Sequence, residues 1–383
     1  MPSCDIVGIY EAVLRCEATR CNEAVTAARA AADSAGNSDT AAIDAATAAR
    51  ESLHRHAGMW HTLCYPKARG RDHAPYPSPL VLLALAAGPG SEVQRQLYSL
   101  LATMVKLSRW GMLEEGAQER YHTAAACIAR ALLNAAVEHQ QQQTAAAATA
   151  GKFSCSSGTA DAAAMLPSVV ILGRCFIMWA EHKAPLSTLP QQQQQQLLLQ
   201  LAACSNKEQQ QQQEPSSCEE QQQEPPEGIE DEFVRLKHSA LVSVMHRWMA
   251  ASSTCDQLAA AGYAVLPLQQ QLLAMGDALE DKSSDNAVML AIAQQLQSTG
   301  LALCSFAVPC MCNNPGCTSM AGLSELAAVS GRSCICAGCR VARYCGRACQ
   351  RAAWKQHKPV CGALSAAAAG TTTGAAAAAG ATV

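Results

Sequence analysis

The chain has 383 residues, enough for one to three domains, and 49% of them are apolar. Much of that content is alanine and only 4% of residues are aromatic, so the expected core is alanine- and leucine-lined helix packing. A formal net charge of −3 argues against a dedicated nucleic-acid binder. The charge is unevenly spread. Residues 1–325 hold all 31 acidic groups and 21 of the 28 Lys and Arg, whereas 326–383 hold seven basic groups and no acidic one.

The body shows helical periodicity and almost no strand alternation. From Asp5 to about Ser34 an Ala-rich helix is expected, with Ile6, Ile9, Val13 and Leu14 on one face. Asp5 and Glu11 interrupt the start before any long apolar run, which is not the pattern of an export signal. Ser38 could cap a second helix carrying Ile43 and Leu53, and the prolines of 65–79 make a loop. Leu80 to Ala87 is a short apolar segment closed by Gly88-Pro89-Gly90. Ser91 and Gln94 have capping-box spacing. They precede a stripe of Val93, Leu97, Leu100, Met104 and Leu107, with Gly111 as the stop. Tyr121, Ala125, Ile128 and Leu132 form the next stripe. Pro167 to Trp179 is apolar nearly all round and should be central.

From Pro190 the composition changes to glutamine runs broken by Pro, Ser and Glu, a stretch with little to bury and expected to be flexible. Helical pattern resumes with Ile229, Phe233, Leu236, Ala240, Val244 and Trp248. It continues through Leu268, Leu272, Met275 and Leu279, then Val288, Ile292 and Leu296. The expected organisation is a helical body over 1–189 and 229–304, a low-complexity insert over 190–228, a small module over 310–361 and a disordered Ala/Gly/Thr tail over 362–383. The fold class is mainly α, as an irregular bundle or a short α-solenoid. No stretch reaches the ~20 apolar residues of a membrane span. The best candidate, Met165 to Ala180, is short and contains Arg174, so no membrane partner is expected.

Ten of the 20 cysteines fall between Cys304 and Cys361. The scattered ones (Cys4, Cys16, Cys21, Cys64, Cys127, Cys155, Cys175, Cys204, Cys218, Cys255) read as reduced, buried small hydrophobes of an intracellular chain, cytoplasmic or nuclear. The clustered ones read as metal ligands. Cys312 and Cys317 flank Asn-Asn-Pro-Gly, and Cys336 and Cys339 flank Ala-Gly. Cys345/Cys349 and His357/Cys361 are each i, i+4, on one side of a helical turn. Eight soft ligands make two tetrahedral zinc sites. A site closed by four protein ligands has no position for water, which makes it structural rather than catalytic. Cys310 and Cys334 each lie two residues before an assigned ligand and could substitute for it. Asn-Asn-Pro-Gly favours Cys312 as strong turn chemistry, and the two-residue gap to Cys339 favours Cys336.

The run C-A-G-C-R-V-A-R-Y-C-G-R-A-C-Q-R-A-A-W-K-Q-H-K-P-V-C, Cys336 to Cys361, resembles the MYND finger in ligand spacing and in its Ala-Arg-Tyr-Cys, Cys-Gln and Trp positions. The resemblance covers about 50 of the 383 residues and none of the helical body. It implies a cross-braced arrangement, with Cys312, Cys317, Cys345 and Cys349 on one zinc and Cys336, Cys339, His357 and Cys361 on the other. It also implies a module that binds peptide segments of partner proteins, often proline-rich, with Gln350 and Trp354 at the binding face.

Seven basic side chains (Arg332, Arg340, Arg343, Arg347, Arg351, Lys355, Lys358) surround the sites and either offset the thiolates or attract an acidic partner, the acidic body included. Nucleic-acid contact is not expected, because Tyr344 and Trp354 alone make no stacking platform. His54, His56 and His61 read as surface or capping residues. The expected function is a non-catalytic adaptor. The alternatives are a SET-type lysine methyltransferase, whose Asn-His-Ser-Cys type segment is missing, and a nuclear transcriptional co-regulator.

Overall fold

The computed structural model describes residues 3–35, 40–64, 79–88, 90–149, 159–183, 241–250, 252–260, 263–280 and 286–379. The glutamine-rich insert at 190–228 lies outside them, as do Ile229, Phe233, Leu236 and Ala240. Alanine and leucine are strong helix formers, and the described body is helical: α1 Ser3–Ala35, α2 Thr40–Cys64, α3 Pro79–Ala87, α4 Glu92–Ser108, α5 Glu115–Thr149, α6 Thr159–Lys183, α7 241–250, α8 Ser252–Ala260, α9 Val265–Glu280 and α10 Asn286–Leu303. The C-terminal module adds α11 Glu325–Val329, a 3₁₀ turn Arg332–Cys334 and α12 Arg347–Ala379. Among the described residues no β-strand forms, and the sole β-bridge joins Ile335 to Arg343. No described helix is long and apolar enough to cross a membrane.

The helices pack pairwise, several of them across the chain order. α1 and α2 pair as a hairpin, α1 packs on α4 and α2 on α5. α4 and α5 pair in turn, α5 packs on α6, α6 on α10, and α10 on α9. The Ser91 hydroxyl caps α4 by accepting from Gln94 N at 3.3 Å. The Gln94 side chain reaches back to Gly90 N at 2.7 Å, one residue before the cap. Gly88 and Gly90 both take positive φ at this corner, as glycine allows at no steric cost. The α4 stripe of Val93, Leu97, Leu100, Met104 and Leu107 is buried, as is the α5 stripe of Tyr121, Ala125, Ile128 and Leu132.

α6 is buried all round from Val169 to Ala180 and is the central helix. It crosses α10 at two facing glycines. A Cβ on Gly300 would meet the Gly173 carbonyl oxygen at 2.5 Å, and one on Gly173 would meet Leu303 Cβ at 2.7 Å. Trp248 of α7 is fully buried, with Phe306 edge-on to it at 6.0 Å and to Tyr263 at 4.6 Å. This aromatic cluster anchors the chain where it leaves α10 for the module.

Two helix faces differ from expectation. In α1 the buried stripe is Val7, Glu11, Leu14, Arg15, Ala18 and Cys21, while Ile9 is 60% exposed and Val13 39%. In α2 it is Ala46, Ala49, Leu53, Ala57 and Trp60, and Ile43 faces out. The α1 face turns because Glu11 and Arg15 are satisfied inside, so a charged pair occupies the positions that an apolar pattern would claim. Residues 362–379, part of the tail expected to be disordered, continue α12 as an alanine-rich run following a helix already nucleated by packing.

Candidate metal centre

The module is built from three local structures. In the first, Cys317 N donates to the Asn314 carbonyl at 3.1 Å across Pro315-Gly316, a β-turn with Pro at its first central position. The buried Asn313 side chain fixes the approach. Its Nδ2 donates to Val308 O and Arg343 O at 2.9 Å each, and its Oδ1 accepts from Val308 N at 2.9 Å. The second is a knuckle: Arg340 N donates to Cys336 O at 2.9 Å, Cys336 N to Ala342 O at 2.8 Å, and Tyr344 N to Cys334 O at 2.7 Å. Arg340 takes φ 58° here. Gly338 has no room for a side chain, because a Cβ would lie 2.8 Å from Cys361 Sγ. The third is α12, which carries Cys349, His357 and Cys361.

These structures gather Cys312, Cys317, Cys345 and Cys349 into one group and Cys336, Cys339, His357 and Cys361 into another, with the ligand atoms of each within 4.8 Å of one another. In the first group the sulfurs of Cys317 and Cys345 are 3.6 Å apart and those of Cys345 and Cys349 3.4 Å. In the second, Cys336 and Cys361 sulfurs are 3.8 Å apart, and His357 Nε2 is 3.5 Å from Cys339 Sγ. Zinc–sulfur bonds of ~2.3 Å in a tetrahedron put sulfurs about 3.8 Å apart, so the donors fit that ion. These are the two sets that the resemblance implies. Four thiolates would leave a zinc complex at −2, and three thiolates with a neutral imidazole would leave −1.

Cys310 and Cys334 belong to neither set. Cys310 is buried, and burial pushes its thiol up to about 12. Cys334 Sγ instead donates to Ala328 O at 3.6 Å. Cys304 donates to Val170 O at 3.7 Å, and burial pushes its thiol up to about 11. Cys21 and Cys175 are buried, Cys127 and Cys255 partly so, and Cys16 is exposed. Cys155, Cys204 and Cys218 lie outside the described residues. His54 meets Arg120 Nη1 at 3.2 Å, and His56 lies edge-on to Tyr10, so neither joins a ligand set.

Trp354 is 43% exposed on α12 and leans on His357 with ring centroids 6.0 Å apart. Gln350, half-buried, precedes it by one turn. On the other side of His357 stands Tyr344, its ring 6.1 Å away. The Tyr344 hydroxyl is buried without a hydrogen-bond partner. Tyr344 lines a narrow cleft together with Ser305, Pro315 and Gln356.

Sequence reasoning missed a buried ionic cluster that joins module to body. Glu11 and Arg15 of α1, Thr103 and Lys106 of α4, and Glu325 of α11 are each no more than 1% exposed. Arg15 Nη2 and Lys106 Nζ both reach Glu325 Oε2 at 2.5 Å. Thr103 Oγ1 and Glu325 N both donate to Glu11 Oε1, at 2.7 and 2.6 Å. Leu326 N donates to Ser99 Oγ at 2.9 Å and Ala327 N to the capping Ser324 Oγ at 3.0 Å, so the first three amides of α11 are all satisfied. Burial opposes the Glu325 charge, but Lys106 and Arg15 outweigh it and hold the carboxyl below its usual value. Burial likewise opposes the Lys106 charge, and Glu325 outweighs it, holding the ammonium above its usual value.

Residues 323–361 match the family model of the MYND finger, and with the two ligand sets this identifies the C-terminal module as a MYND-type zinc finger. The match starts beyond Cys312 and Cys317, which join the module through geometry. No curated protein and no solved structure matches the chain.

Proposed function

We propose that the chain is a non-catalytic, intracellular adaptor holding two structural zinc ions, whose finger binds peptide segments of partner proteins, proline-rich ones included, at the face of Gln350 and Trp354. The carrying observation is Trp354: a large aromatic left 43% exposed about one helical turn before the ligand His357. Exposed aromatics with a rigid backing are the usual anchors of protein interfaces. The flat proline ring packs well on such a surface, and a polyproline II segment loses little entropy on docking. Closed ligand sets support a structural role for the metals, since each site has four protein donors and no open position.

The test uses the full chain loaded with zinc against a panel of proline-rich and control peptides. Binding should fall at least about tenfold in Trp354→Ala, the loss typical of an aromatic anchor, and in Gln350→Ala to a lesser degree, with zinc content unchanged in both. Peptide binding that both variants retain would move the recognition face elsewhere. Turnover of a methyl donor would refute the non-catalytic reading.

A further inference from the structure

Two of the four ligands of the all-cysteine site lie in the loop 312–321, and that loop is gripped by cations of the body. The Cys312 carbonyl accepts from Arg174 of α6, and the Pro315 carbonyl from Arg109 at the end of α4. The Ser319 carbonyl accepts from Lys106 of α4 at 2.9 Å, and the Ala321 carbonyl from Arg15 of α1 at 3.0 Å. From the module side, Glu325 Oε1 accepts the Cys312 amide at 2.8 Å. Both peptide groups flanking this one ligand are therefore fixed by buried charged side chains.

The charges make the arrangement more than a set of tethers. Arg15 and Lys106 share Glu325, and Arg109 pairs with Glu181. Arg174 is 1% exposed, has no carboxylate within ion-pair distance among the described residues, and has an unpartnered Nε. An uncompensated buried cation is costly. Besides the neutral Cys304 thiol, the group that Arg174 holds is the main-chain carbonyl of Cys312, a residue whose ligand set would carry −2 once zinc is bound. The other site has no such support. The hydrogen bonds described between the body and the finger fall on residues 312–326, and the knuckle around Cys336 and Cys339 is bonded within the finger.

We propose that Arg174 and Arg109 position and charge-balance the all-cysteine zinc site while Glu325 fixes the Cys312 amide, so that this metal is part of the helical body and the second metal belongs to the finger alone. Outer partners of metal ligands commonly govern metal affinity by about 10- to 100-fold, and here those partners come from α4, α6 and α11. The inference rests on both sites binding zinc. That reading fails separately, if the unmodified chain takes up fewer than two metal ions.

The experiment follows metal release from the full chain, loaded with Zn²⁺ or Co²⁺, into excess chelator. In Arg174→Met one of the two ions should leave at least about tenfold faster than in the unmodified chain. With Co²⁺ the lost absorption should be that of the all-sulfur site, leaving the sulfur–imidazole spectrum. Arg109→Gln, at a less buried position of the interface than Arg174, should accelerate the same ion more weakly and serves if Arg174→Met does not fold. Equal acceleration of both ions, or unchanged release in Arg109→Gln and any folded Arg174→Met, would overturn the proposal.

Discussion

Neutralising Glu325 isolates the union of body and finger. Glu325→Gln keeps the side-chain shape and an oxygen for the Cys312 amide, but turns an amide NH₂ or a neutral oxygen toward Lys106 and Arg15. Two buried cations then face one carboxylate, Glu11. Removing one member of a buried ion pair costs about 3–5 kcal/mol, because the remaining charge is left desolvated. That is a large part of a typical 5–15 kcal/mol total. Lys106→Met should cost a similar amount for the opposite reason, leaving Glu11 and Glu325 against Arg15 and freeing the Ser319 carbonyl. The double variant restores one carboxylate facing one guanidinium, so it should cost at least about 1 kcal/mol less than the sum of the two. Urea unfolding of the zinc-loaded full chain at pH 7, followed by helical circular dichroism, gives all three values. At that pH Glu325 is ionised and Lys106 protonated, since the shifts run toward the charged forms. Single costs below about 1 kcal/mol that simply add would mean that the cluster carries no net coupling.

Other outcomes are equally specific. Tyr344→Phe should be neutral or slightly stabilising in thermal unfolding, since the hydroxyl it removes is buried without a partner; a loss above about 1 kcal/mol would reveal a bond to that hydroxyl. In native chain treated with iodoacetamide at pH 8, mass spectrometry should find Cys16 modified and Cys304 and Cys310 spared, because burial keeps the latter two as neutral thiols. Gly300→Ala should destabilise the body by about 1–3 kcal/mol through overpacking against α6. Gly338→Ala should instead lower the metal content by one ion, because the added methyl meets Cys361 Sγ.

The legible parts of the sequence were those whose information is local. Ligand pairs three to five residues apart announce a metal site, and the stripes of α4 and α5 follow from helical spacing alone. The pairing of ligand sets came through family resemblance, because spacing does not say which pairs share an ion. Ile9 and Val13 misled, since an apolar pattern assigns charge to the outside and Glu11 and Arg15 break that rule together. Their partner Glu325 lies 314 residues from Glu11, and nothing in local composition connects them. For the same reason Arg174 read only as a charge within an apolar segment, and Lys106 gave no signal, although both bond the loop of the finger.

The helix α12 has one further property. Cys349 ties its first turn to one metal set, and His357 and Cys361 tie its third and fourth turns to the other. Gln350 and Trp354 therefore sit on the span of a beam pinned at two points, and the Cys349 pin shares its ligand set with Cys312, which the body holds. A ligand landing on that span meets a surface already rigid, so little of its contact energy is spent on ordering the receptor. Under the proposed recognition, peptide affinity would respond to anything that loosens either pin.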